Sequence, residues 1–300
     1  MLPSPQRVIV AVKWGPLDGR RAVLSPGDVV RVGRGERAGL VVPHDRQMSA
    51  LHVELSWDGS RCHFRDLKSA TGTLRNGEAG FPEGFLVNGD WLKAGDTVLT
   101  VHLEASTPSR DVDDDDQEDA ADRARRLARD AVAEVALREL EEAAARAPLY
   151  VVLDGARDRR ILELCRESVE EHRSLYDGVE GETMAHVAPY LVRLPAGSRL
   201  LASLVREGWA RRWGIYLTSP LPFTEVRRQL RRFLMVEMED SHDRLYFRFY
   251  DPRTLATFLP SCSPRQAQEF FGGADSFLLE GEGGALVRYP RLESQPVSGR

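Results

Sequence analysis

Short apolar runs separated by turn residues fill the first hundred positions. RVIVAVKW, RRAVL, VVRVG, GLVVP, LHVELSW, CHFRDL and TVLTVHL are β-rich, and several alternate apolar and polar side chains. Pro16-Leu17-Asp18-Gly19, Pro26-Gly27, Asp58-Gly59, Asn76-Gly77, Asn88-Gly89 and Gly95-Asp96 punctuate them. Turns this frequent between short strands predict a β-sandwich over residues 7–103.

The pattern then changes twice. Ser106-Thr107-Pro108-Ser109 and the run Asp113 to Asp116 cannot build a core and predict a flexible linker. From about Asp119 to Arg146 the helix formers Ala, Leu, Arg and Glu dominate, with acidic residues leading in. Ala124, Leu127, Ala131 and Val135 form one narrow apolar stripe at helical spacing, which suits a solvated spacer helix or a short docking helix. Beyond residue 148, strand and helix patterns alternate. Strands are expected at 149–153, 189–194, 213–217 and 245–250, and helices at 159–169, 198–207 and 224–233. Ser263-Pro264-Arg265-Gln266 has capping-box spacing with proline at the first helical position, so a helix should run from there to Phe271. The fold class expected is multidomain: an all-β sandwich (1–104), an acidic linker and helix (105–147), and a mixed α/β domain (148–300).

Composition narrows the function classes. The 300 residues are 42% hydrophobic and 29% charged, as in ordinary globular proteins, and suffice for two domains. Net charge is −5, with the acidic excess in residues 105–147, which argues against a nucleic-acid partner bound through phosphate neutralisation. No apolar run approaches the ~20 residues of a membrane span, and the N-terminus lacks a signal-peptide pattern, so no membrane partner and a cytoplasmic location are expected. Cys62, Cys165 and Cys262 are widely spaced and support neither a disulfide framework nor a zinc knuckle. No metal or cofactor is expected.

The most informative chemistry lies between residues 33 and 77: Gly33-Arg34, Ser49-Ala50-Leu51-His52, and Asp66 to Gly77 (DLKSATGTLRNG). A phosphothreonine carries nearly two negative charges and three strong acceptors. Arg34 can offer a planar fork to two phosphate oxygens, and Ser49 can add a hydroxyl from a neighbouring loop. In order and spacing these residues resemble the forkhead-associated (FHA) domain, an eleven-stranded β-sandwich that binds phosphothreonine with loops at one end. The resemblance implies that Arg34 and Ser49 contact phosphate, that Thr71 and Asn76 contribute to phosphopeptide binding, and that His52 braces the site. Gly33, Gly72 and Thr73 would shape the loops. Two positions depart from the family pattern. Ala50 stands where a basic or polar residue is common, and Thr71 stands where asparagine usually grips the peptide backbone. Asn76 and Asn88 are both candidates to compensate.

In the second domain no GxSxG, P-loop, HExxH or GxGxxG appears. Cys165, on the apolar face of an expected helix, reads as a buried structural thiol. Alternation in FRFYDPR puts Phe247, Phe249 and Asp251 on one face and Arg248 and Tyr250 on the other, with Pro252 ending the strand. Either the aromatics are core and Asp251 pairs an arginine, or Arg248 and Arg253 line a binding groove. Arg227, Arg228, Arg231 and Arg232 make a basic helix face, either solvated or suited to an acidic client. The blocks LYVVLDGAR, SLYDG, APYLV, WGIYL, FRFYDPR and FFG resemble an uncharacterised-function family whose studied members are type VI secretion effector adaptors or chaperones. That resemblance implies a non-enzymatic protein with two partners, a type VI effector and the VgrG-type spike protein. The first domain would add a threonine-phosphorylated partner. A phosphothreonine signalling scaffold without a secretion role, and an enzyme or toxin using Asp154 with His172 or His186, are the alternatives.

Overall fold

A computed structural model describes residues 6–13, 16–17, 19–109, 119–176, 184–237 and 244–291. The acidic run Asp113–Asp116 and the Asp177-Gly178 pair lie outside the described residues. Two compact units emerge. One holds the residues up to Pro108 with Arg166–Val169, and the other holds those from Ser109 to Cys165 and from Glu170 onward.

The first unit is a β-sandwich of ten strands among the described residues. Strands β1 (Val8–Lys13), β2 (Arg21–Leu24), β7 (Thr73–Arg75), β9 (Trp91–Ala94) and β10 (Thr97–Leu103) form one sheet in the order β2-β1-β10-β9-β7. Strands β3 (Val29–Gly33), β4 (Leu40–Val41), β5 (Val53–Trp57), β6 (Cys62–Asp66) and β8 (Glu83–Leu86) form the other, in the order β4-β3-β5-β6-β8. Alternation does the sorting. Val53, Leu55 and Trp57 of β5 are buried, while Glu54 and Ser56 face outward. Val8, Val10 and Val12 of β1 meet them in one apolar core with Val32, Phe64, Leu99 and Val101. Trp57 also donates its indole N–H to the Gln6 carbonyl at 2.8 Å, so the buried ring leaves no unmet donor.

The second unit is a six-stranded antiparallel sheet covered by helices on both faces. Its strands are β11 (Leu149–Asp154), β12 (His172–Ser174), β13 (Pro189–Leu194), β14 (Gly214–Thr218), β17 (Ser276–Glu280) and β18 (Leu286–Pro290), ordered β12-β13-β11-β14-β17-β18. A separate hairpin pairs β15 (Met235–Glu237) with β16 (Arg244–Tyr246). The helices are α1 (Ala120–Arg146), α2 (Arg159–Arg166), α3 (Arg199–Gly208), α4 (Phe223–Arg231), α5 (Pro252–Ser261) and α6 (Pro264–Phe271). Every residue of β11 is buried. Leu149, Val151 and Leu153 face α1, α2 and α3, whereas Tyr150 and Val152 face α4, α5 and α6. Cys165 is 1% exposed in the first of these layers, as a structural thiol would be.

Two expectations need correction. In α1 the stripe Ala124, Leu127, Ala131 and Val135 is not the packed one: Leu127 and Val135 are exposed. The buried seam is Ala133, Ala136, Leu137, Leu140 and Ala143. Its small residues let α1 approach α3, where Leu200, Leu201 and Leu204 fill the same core and Glu134 pairs Arg206 at 2.6 Å. The C-terminal half of α1 is therefore part of the second unit's core and no mere spacer. The second correction concerns FRFYDPR. The strand stops at Tyr246, and Pro252 opens α5 instead of ending a strand. Asp251 caps that helix by accepting the Arg253 N–H, a role carboxylates fill because the first turn has unpaired donors. Phe249 and Tyr250 are consequently both buried, not on opposite faces. The Ser263 capping box forms as its spacing predicts.

Candidate functional site

Three loops meet at one end of the sandwich. Gly33, the last residue of β3, is clamped between two of them. Its carbonyl accepts the Val42 N–H at 2.8 Å, and a Cβ at this position would lie 2.2 Å from the Ala50 carbonyl oxygen. Only glycine fits so close a backbone approach. The next residues zip onto the β4–β5 loop: Arg34 N–H donates to Ser49 O at 3.0 Å and Gly35 N–H to Ala50 O at 3.1 Å. Arg34 and Ser49 are thus brought together by backbone bonds. The Arg34 side chain is exposed and, among the described residues, has no hydrogen-bond or ion-pair partner. Ser49 Oγ accepts the Ala70 N–H at 3.0 Å, which joins the β6–β7 loop and leaves the hydroxyl proton free to donate.

His52, fully buried, ties the same loops from beneath. The Ser49 N–H donates to its Nδ1 at 3.1 Å. Nδ1 is therefore the acceptor, the proton sits on Nε2, and Nε2–H donates to the Gly72 carbonyl at 3.0 Å. Gly72 itself has φ +73°, a left-handed conformation that favours glycine. Thr73, also buried, donates to Asp66 Oδ2 at 2.7 Å, and Ser69 donates to both Asp66 oxygens. Burial pushes the Asp66 carboxyl up, but the hydroxyls of Ser69 and Thr73 outweigh it and hold it below the ordinary value.

The remaining two expected contacts are placed differently. Thr71 is exposed at the rim, with its hydroxyl 3.4 Å from the Gln47 carbonyl. Asn76 turns inward. Its amide N–H donates to Asp90 Oδ1 at 2.8 Å, and its oxygen accepts the Trp91 N–H at 2.9 Å. Both side-chain groups are spent on the turn, where Asn76 adopts φ +51°. Asn88 is likewise occupied, by the Leu103 N–H and Glu167.

In the second unit the charged residues cluster at the end of β11. Asp154 is fully buried, and its Oδ2 accepts from Arg248 and lies 3.4 Å from Arg157 Nε. Arg157 and Arg253 both donate to Asp251, at 2.5 and 2.7 Å. Arg248 also lies over the Tyr250 ring, 5.8 Å from its centroid. Burial raises the Asp251 carboxyl, yet the Arg253 hydrogen bonds and the Arg157 charge win and lower it. The α4 arginines divide. Arg227 donates to the Ser174 and Tyr176 carbonyls, and Arg231 to the Leu175 carbonyl, so both brace the segment after β12. Arg228 is exposed and, among the described residues, pairs only with Glu225, at 3.9 Å, and Arg232 pairs Glu269 at 3.7 Å.

Residues 30–99 match the FHA domain family, and residues 149–269 match a domain of unknown function, DUF4123. The chain joins an FHA domain to a DUF4123 domain. An FHA domain-containing protein of Arabidopsis thaliana is 35% identical over 95 residues, which make up 31% of this chain and 24% of that protein. The chain thus spans about a quarter of the length of that curated relative. A structure solved in a study of phosphothreonine-dependent FHA domain interactions is 30% identical, with 34% of this chain and 99% of that one covered and a TM-score of 0.30. The FhaA FHA domain complexed with the intracellular domain of Rv3910 is 32% identical, with 32% and 99% covered and a TM-score of 0.29.

One residue of the FHA domain escaped the motif reading. Asp45 is buried, and its oxygens accept the N–H groups of Gln47, Met48, Asp96 and Thr97 and the Thr97 hydroxyl, all at 2.7–3.0 Å. It staples the loop carrying Ser49 to the β9–β10 turn. Burial pushes its carboxyl up, but this ring of donors holds it below the ordinary value. Gly95 makes room for it, since a Cβ there would sit 2.8 Å from the carboxylate. The only trace in the sequence is an acidic residue two positions before the loop's Gln47. Among the described residues, no helix is long and apolar enough to cross a membrane.

Proposed function

We propose that this protein is a non-enzymatic adaptor with one grip in each domain. The FHA domain binds a threonine-phosphorylated protein, with Arg34 and Ser49 on the phosphate and Thr71 at the peptide-facing rim. Gly33, His52, Gly72, Thr73 and Asn76 hold the loops in place. The DUF4123 domain binds a type VI secretion effector and passes it to a spike protein, with Arg228, Arg248 and Arg253 as its cationic contacts and Arg227 and Arg231 supporting them. The observation that carries the reading is Arg34. It is a guanidinium with unspent donors, pinned by its own backbone beside a hydroxyl whose proton is free. In the DUF4123 domain the support is the cluster of half-exposed arginines over buried aspartates, together with the family match. Asp154, the residue an enzymatic reading needs, is occupied by Arg157, Arg248 and the Ala156 N–H.

The test has two arms. Calorimetry with a peptide carrying phosphothreonine and its unphosphorylated twin should give binding only for the former, and equal binding would sink the phosphate mechanism. Pull-down from the native host, with and without phosphatase, should lose the FHA partner after phosphatase but keep the effector and spike. An FHA partner retained after phosphatase would overturn the phosphate dependence, and recovery of neither effector nor spike would dismiss the adaptor role.

A further inference from the structure

The FHA domain has an outer sheet face whose charges are arranged in an order that fits itself. Strands β3, β5, β6 and β8 are consecutive neighbours, and their register sets two cross-strand rows. One row is Arg31, Glu54, Arg65 and Glu83, which reads plus, minus, plus, minus. Glu54 accepts from Arg31 at 2.8 Å and from Arg65 at 2.7 Å, while Glu83 has no ion-pair partner among the described residues. The second row, two residues along each strand, is Val29, Ser56, His63 and Phe85. Val29 is 57% exposed and Phe85 51%, and Val87, two residues beyond Phe85, is 60% exposed. Strands stand about 4.8 Å apart, so each row spans roughly 14 Å. The Phe85 ring meets His63 edge-on and lies under the Arg61 guanidinium, which orders it as a rigid apolar anchor.

We propose that this face docks a second copy of the same chain through a two-fold axis parallel to the strands and midway between β5 and β6. That operation reverses each row. Arg31 of one copy then opposes Glu83 of the other, and Glu54 opposes Arg65. Val29 opposes Phe85, and Ser56 opposes His63. A row ordered plus-minus-plus-minus is complementary to its own reversal, whereas a plus-minus-minus-plus row would repel itself. The unpaired Glu83 gains the partner it lacks, and the exposed apolar ends of the second row cover each other. This is the self-complementary pattern of an isologous contact. A small face of this kind gives a reversible dimer with a dissociation constant of about 1–100 µM.

The test uses the full chain in sedimentation equilibrium. The natural protein should be a concentration-dependent dimer. Arg31→Glu and Glu83→Arg, both at exposed positions, should each weaken association at least tenfold, because every dimer then contains two like-charge contacts. An equimolar mixture of the two variants should recover dimers, since the mixed pair has only opposite charges in contact. Phe85→Ser should weaken association without affecting the mixing result. A natural protein that stays monomeric to about 200 µM, well above the range in which such faces associate, would overturn the proposal. So would a mixture no more associated than its separate components.

Discussion

Arginine is the working residue at both ends of this chain, but in opposite states. At the FHA loops, Arg34 has its backbone engaged and its guanidinium unspent. At the end of β11, Arg157, Arg248 and Arg253 are all committed to Asp154 or Asp251. An uncommitted cation costs little while solvated and is ready for an anion. A committed one mainly offsets the burial of its carboxylate. The difference separates a cation left available from cations that first of all hold the fold, a distinction residue type alone does not make.

Four changes sharpen that contrast. Arg34→Ala should cost phosphopeptide binding about 2–5 kcal/mol, as for truncating one partner of a desolvated charge pair, while leaving the melting temperature within a degree or two. Calorimetry and thermal melts together read both. Asp154→Ala should behave in reverse. It strands Arg248 while Arg157 keeps Asp251, and urea denaturation should show a loss of about 2–4 kcal/mol, below the usual range for a broken buried pair because Arg248 is half exposed. FHA binding should not change.

Asp45→Asn should fall between the two. Losing acceptor strength for five donors should cost about 1–3 kcal/mol and weaken phosphopeptide binding by loosening the Ser49 loop. It also has a pH signature. The folded carboxyl lies below its unfolded value of about 4, so its stabilisation is fully present above that pH. It is lost as pH falls through the lower folded value, and the asparagine variant should show a flatter acid limb in stability against pH. Arg228→Ala is the smallest change. Its side chain is 77% exposed, so stability should move by no more than about 0.5 kcal/mol. If an acidic client docks on this helix, its association rate should drop and lose salt sensitivity in stopped-flow measurements.

The convergence of the Arg34 and Ser49 loops in the FHA domain was legible because its chemistry is local. Gly33-Arg34 and Ser49-x-x-His52 sit on tight loops where spacing and side-chain type carry the meaning. Asn76 was not, because an amide near a turn does not announce which partners it will meet, and Asp90 and Trp91 claim both its ends. Asp45 was hidden for a similar reason: its donors come from residues 47–48 and 96–97, which only the folded sandwich assembles. In the DUF4123 domain, FRFYDPR alternates well enough to mimic a strand, but the Asp-Pro cap and the buried salt bridges prevail over that periodicity. In α1 two apolar stripes compete, and only the position of α3 decides which one is covered.

Because β11 is greasy on both sides, it needs a cover on each, and one of those covers is encoded before it. A fragment cut to begin at Pro148 would leave the core of Leu149, Val151 and Leu153 without the α1 seam of Leu137 and Leu140, and the apolar surface that α1 no longer covers would invite clumping. Anyone wishing to study the carboxy-terminal half in isolation should start the cut no later than Asp119, the residue that caps α1.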